Sequence, residues 1–197
     1  MSEVTRRNLL QRIALSITAG QLSLEAAQHV HGVALQEKAT LGVYKPKGLN
    51  AHEYKTLEKL ADYIVPPEGA TTGGGVAAGA PEWIDLMASE NPQLLAIYTG
   101  GIAWLDYAMQ KRGAPNFLDA TAAQQTDMLD LIAYRKNESP ELGPGIKFFE
   151  WARKMVVDAY YTSAIGIKDI GYMGNTALSK FEVPQEAIDY ALKRSPV

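Results

Sequence analysis

A chain of 197 residues is long enough for one domain with a sizeable core and too short for two large ones. Lysine and arginine number 19 against 22 aspartates and glutamates, and neither sign gathers into a block, so the net charge of −3 carries no electrostatic footprint for nucleic acid. Cysteine is absent, which removes disulfides, thiolate zinc, covalently attached haem, cysteine-held iron–sulfur clusters and a thiol nucleophile together.

The chain opens Thr5-Arg6-Arg7-Asn8-Leu9-Leu10-Gln11, followed by Arg12 and the mild apolar run Ile13-Ala14-Leu15-Ser16-Ile17-Thr18-Ala19-Gly20. This reads as a positive n-region and a short h-region. It resembles the twin-arginine export signal, in which an Arg-Arg pair precedes one polar and two apolar positions, and makes Arg6, Arg7, Leu9 and Leu10 the signal residues. The alternative is a surface helix start with Arg6, Arg7 and Arg12 solvated. Signal removal stays open, because Ala26-Ala27 has Leu24 or Glu25 where a cleavage site wants a small residue. Residues 1–40 are then leader and first helix, and 41–197 a helical domain without internal repeats.

Period-3.6 apolar spacing dominates the rest. Ser23 caps a helix reaching about Lys38, with Leu24, Ala27, Val30 and Ala34 near one face. Asn50 and Glu53 form a capping-box start before Tyr54, Leu57, Ala61 and Ile64, and Pro66-Pro67 ends that helix. From Glu68 to Gly79 large side chains are nearly absent, which predicts a flexible surface loop. Pro81 opens a helix carrying Trp83, Ile84 and Met87, and Pro92 another that runs towards Arg112. Gly100-Gly101 in its middle permits a kink or a close helix approach, or is a tolerated weak spot. Thr121 and Gln124 cap a helix with Met128, Leu131 and Ile132 aligned. Pro144 starts the most aromatic helix, with Phe148, Trp151, Ala152, Met155 and Ala159 on one stripe, and this predicts the core helix. Beyond Tyr160-Tyr161, glycine recurs too often for a helix, so Ser163 to Asn175 is expected to be irregular. A short helix from Pro184 to Arg194 closes the chain. The fold class is all-α: an irregular helical bundle with long loops and an extended C-terminal segment. No apolar run reaches the roughly 18 residues that a membrane-spanning helix needs.

Chemistry is sparse. Gly73-Gly74-Gly75-Val76-Ala77-Ala78-Gly79 has the wrong spacing for a dinucleotide loop and follows a helix rather than a strand. His29 and His31 point ~200° apart on a helix and read as surface residues that cannot share one ion. Asp127 with Asp130 and Glu138 with Glu141 lie among polar residues and read as solvated. Catalytic, cofactor and metal residues are therefore none. Trp151 reads as core, whereas Tyr160, Tyr161 and Tyr172 suit either a core or a partner contact.

Three features together resemble the gluconate 2-dehydrogenase subunit 3 family: the twin-arginine start, Leu49-Asn50-Ala51-His52-Glu53-Tyr54 leading to Ala61-Asp62-Tyr63-Ile64-Val65-Pro66, and the tail Tyr160-Tyr161-Thr162-Ser163 with Gly166 to Asn175. The resemblance implies a cofactor-free small subunit. Its partner would be a large FAD-dependent subunit of the glucose–methanol–choline type that oxidises a sugar hydroxyl and passes electrons to a cytochrome c. Twin-arginine translocation carries folded cargo, so the small subunit would escort that flavoprotein to the periplasm. Partner contact is expected from Tyr160, Tyr161, Ile167, Tyr172, Met173 and Asn175. A stand-alone helical periplasmic binding or stress protein is the alternative.

Overall fold

Local signals set most helix ends in the computed structural model, which describes residues 6–20, 22–68, 73–172 and 183–194. Every regular element among the described residues is helical, so the all-α expectation holds. The Ser23 side chain accepts the Ala26 amide and starts α2 (Leu24–Leu41), which closes on Gly42 in a left-handed conformation. Asn50 and Glu53 form the expected reciprocal capping box of α3 (Ala51–Ile64). Thr121 and Gln124 do the same for α6 (Ala122–Ile132).

The aromatic helix lies in the core as expected, but the helix enclosed on all sides is α4 (Ala80–Ser89). Every residue from Ala80 to Ala88 is buried, because Trp83, Ile84, Leu86, Met87 and Ala88 leave no polar face wide enough for water. Around it pack α1 (Arg6–Thr18), α2, α3, α5 (Pro92–Gln110) and α7 (Gly143–Thr162). The longest of these, α7, buries Phe148, Phe149, Ala152, Met155, Val156 and Ala159, but Trp151 lies half-buried at the core margin with the Lys154 ammonium 5.5 Å from its ring centre. The Trp83 indole N–H donates to the Ala27 carbonyl at 3.1 Å and ties α4 to α2.

Two glycines let α5 and α7 approach closely. A Cβ on Gly101 would lie 2.1 Å from the Phe148 ring, and one on Gly145 2.1 Å from the Trp104 ring. Each helix therefore receives an aromatic side chain of the other where it has none of its own. Gly100 faces open space.

The apolar run near the start of the sequence is part of the core. Leu10, Ile13, Ala14 and Ile17 are buried where α1 meets α4 and α2, and the Asn91 side-chain amide donates to the Ala14 carbonyl at 3.0 Å. The same Asn91 caps α5 by accepting the Gln93 and Leu94 amides.

The predicted loop before α4 is packed over residues 73–79. Gly75 donates its amide to the Val65 carbonyl, Val76 donates to the Asp62 carboxylate, and a Cβ on Gly75 would lie 2.6 Å from the Ala61 carbonyl oxygen. Small side chains here allow close backbone approach to α3 rather than flexibility. Residues 69–72 lie outside the described residues. The segment expected to be irregular after Tyr161 begins with a further helix, α8 (Ala164–Asp169). An exposed last helix, α9 (Gln185–Arg194), follows.

Candidate partner-binding face

The end of α7 and the start of α8 form a tight corner built by Ser163. Its hydroxyl donates to the Tyr160 carbonyl at 2.7 Å and accepts the Gly166 amide at 3.1 Å, so one side chain ends one helix and caps the next. A Cβ on Gly166 would lie 2.0 Å from the Tyr160 carbonyl oxygen, so only glycine fits. This explains why a segment with recurring glycine is nevertheless helical: the glycine serves the approach of two helices, not a loop.

The corner sorts the expected contact residues. Tyr160 is buried, its ring edge-on to Tyr161 at 5.1 Å and its hydroxyl donating to Asp169 at 3.3 Å. Burial, and then the Asp169 carboxylate, push its phenol above the ordinary pKa. Tyr160 therefore belongs to the core side of the corner and offers a partner little beyond its hydroxyl. Tyr161 and Tyr172 stand exposed, Ile167 is half-buried, and Ile170 joins the exposed apolar group. Met173 and Asn175 lie outside the described residues.

At the other end of the chain, Arg6 and Arg7 open α1, Leu9 is half-buried and Leu10 is buried.

His29 is exposed, but His31 is not the surface residue expected. Its Nε2 lies 2.9 Å from the Ala159 carbonyl and 3.2 Å from the Thr162 hydroxyl, linking α2 to α7. Burial holds its pKa below the ordinary 6.5, with the Ala159 carbonyl and the Glu82 charge opposing. His52 pairs with Asp106 at 2.6 Å, whose other oxygen accepts the Phe117 amide. Asp127, Asp130, Glu138 and Glu141 are exposed, as their polar surroundings suggest. Among the described residues no three His, Cys, Asp or Glu side chains could hold a metal ion. In the glycine segment 73–79 the amides of Gly75, Val76, Ala78 and Gly79 bond within the fold and are not free for a phosphate.

Two buried acids escaped the sequence reading, Glu82 and Asp85. Asp85 is fully buried and accepts from the Tyr44 hydroxyl and the amides of Lys47, Gly48 and Leu49, all within 3.1 Å. It pins the loop that leads into α3. Glu82 meets Lys38 at 2.9 Å through Oε1, while its buried Oε2 has no hydrogen-bond partner. The available signal was their place: two charges inside Pro-Glu-Trp-Ile-Asp-Leu-Met, a segment otherwise apolar on every face.

A family model described as gluconate 2-dehydrogenase subunit 3 matches residues 51–179, which takes in α3 to α8. No curated protein and no solved structure matches the chain.

Proposed function

The chain belongs to the gluconate 2-dehydrogenase subunit 3 family, and from that premise we propose that it is the non-catalytic small subunit of an exported sugar-oxidising complex. The family is one of dehydrogenase subunits, so its members work beside other chains. The partner in this reading is a larger FAD-dependent flavoprotein of the glucose–methanol–choline type. That flavoprotein would oxidise a sugar CH–OH group and deliver the electrons to a cytochrome c, while the small subunit binds and stabilises it and supplies the twin-arginine signal that takes both to the periplasm.

The family match over α3 to α8 carries this reading. Two observations support it. Tyr161, Ile170 and Tyr172 leave large apolar groups exposed within one short stretch, as a surface awaiting a partner does. Asp85 and His31 are engaged in structural bonds, Asp85 pinning a loop and His31 joining two helices.

Purification of the tagged chain from its native host tests the pairing. The expected result is a larger protein with flavin absorbance in the same fractions; the chain emerging alone, with no flavin in any associated band, refutes it. Arg6→Lys with Arg7→Lys tests the escort and should strand both subunits in the cytoplasm. Arrival of the large subunit in the periplasm despite these changes would show that it travels by its own means.

A further inference from the structure

A cavity of about 180 Å³ opens between α2, the turn before α4 and the start of α8. Ala34, Leu35 and Ile165 give it apolar walls, and His31 and Glu82 bring polar atoms to it. Both present unused acceptors. The Ala159 carbonyl beside His31 Nε2 can only accept, so Nε2 carries the hydrogen and Nδ1 of the neutral ring keeps a free lone pair. Glu82 is 6% exposed, and its Oε2 is buried without a hydrogen-bond partner. A buried carboxylate oxygen left unpaired is costly, and the Tyr54 phenol, which reaches the Glu82 carboxylate, leaves Oε2 without a hydrogen bond.

The two acceptors converge on one spot. Gly79 lines the cavity with φ of 78°, a conformation that keeps a side chain away. A Cβ on it would lie 3.9 Å from His31 Nδ1 and 4.0 Å from Glu82 Oε2 and would meet nothing closer from elsewhere in the fold. The surroundings are acidic. Burial, then the Glu82 charge, raises the pKa of Glu58, and burial followed by Glu82 and Glu58 raises that of the Tyr54 phenol. Lys38 also lines the cavity, half exposed and already bonded to Oε1, and with Lys55 it opposes the Glu58 shift.

We propose that this cavity receives one cationic side chain, an arginine or lysine of the larger subunit, whose head donates to Glu82 Oε2 and His31 Nδ1. The polarity selects the occupant. Both free groups accept, so a head that only donates satisfies them, and the local negative charge favours a cation over an amide. The apolar walls suit the methylene stem, and the volume admits one side chain rather than a helix. The source of the side chain rests on the subunit reading above; the site itself does not.

The test adds n-butylguanidinium to the purified full-length chain and follows the His31 ring resonances by NMR at neutral pH. A shift saturating in the millimolar range is expected, and butyrate, with a similar stem and the opposite charge, should give none. Glu82→Gln keeps the shape but removes the charge and should weaken the response by about tenfold. Ala164→Leu, at the exposed mouth, should block the cavity to a similar extent without touching either acceptor. No saturable shift, or one that both variants leave unaltered, overturns the site. Co-purification with a flavoprotein is a separate readout: if it fails while the guanidinium response stands, the site is upheld and its occupant on a larger subunit is overturned.

Discussion

Replacing Ile13 with alanine asks whether the N-terminal helix is a component of the fold or a passenger on it. Ile13 is 5% exposed and lies with Leu10, Ala14 and Ile17 on the side of α1 that meets α4 and α2. Truncating a buried isoleucine to alanine costs about 2–5 kcal/mol, the spread reflecting how far the site collapses. The middle of that range is about 3 kcal/mol. In a domain of this size each kcal/mol moves Tm by about 2–4 °C, so the expected fall is about 6–12 °C. Leu15 on the same helix is 60% exposed, and Leu15→Ala should stay within about 0.5 kcal/mol of the parent. Thermal and urea unfolding of the two variants give the comparison directly. Equal melting temperatures for Ile13→Ala, Leu15→Ala and the parent would refute the docking of α1.

Further outcomes follow from single contacts. Gly101→Ala should destabilise by about 1–3 kcal/mol, because its methyl meets the Phe148 ring. Gly100→Ala, one residue away in open space, should stabilise by about 0.5–1 kcal/mol, and urea midpoints distinguish the pair. Asp85→Asn leaves an amide nitrogen where a carboxylate oxygen accepted, and should lose roughly 2–3 kcal/mol in the same assay. His31 titrates below its ordinary 6.5 when folded, so the unfolded chain binds its proton first as pH falls. Its contribution to stability is therefore complete above pH 6.5 and declines below it, through the folded pKa. A His31→Gln variant, whose amide can still donate to Ala159, should lose less stability than the parent between pH 7 and 5. Equal losses would remove His31 as the cause.

Helix starts were legible because a cap is a local event: Ser23, Asn50 with Glu53, and Thr121 with Gln124 bond within three residues of themselves. What failed was governed by partners distant in sequence. Glycine at 166 looks like a helix breaker until the Tyr160 carbonyl stands 2.0 Å from where its Cβ would be. The small residues of 73–79 look flexible until they are laid against Ala61 and Asp62. His31 looks solvated until Ala159, 128 positions away, accepts its hydrogen. In the candidate partner face, the sequence placed Tyr161 and Tyr172 where they stand exposed, but the edge between core and surface fell one residue away from where composition alone could put it, at Tyr160.

The proposed export reading poses the same problem in its sharpest form, since an export signal and a packed helix would make overlapping demands on one apolar run. An h-region needs only mean apolarity, whatever the spacing. Packing needs a face, and Leu10, Ile13, Ala14 and Ile17 stand at i, i+3, i+4 and i+7, with Leu15 left to solvent. The spacing therefore shows a helix built to pack, beyond what an export signal alone would require. Cutting the chain after Gly20 would strip these four side chains from α4 and α2 and leave the buried Asn91 amide without the Ala14 carbonyl. Within the export reading proposed above, the subunit is then expected to keep its leader after translocation. Intact-mass measurement on the periplasmic form decides this. A mass beginning beyond residue 20 in a stable, fully folded subunit would show that α1 contributes nothing the mature fold requires.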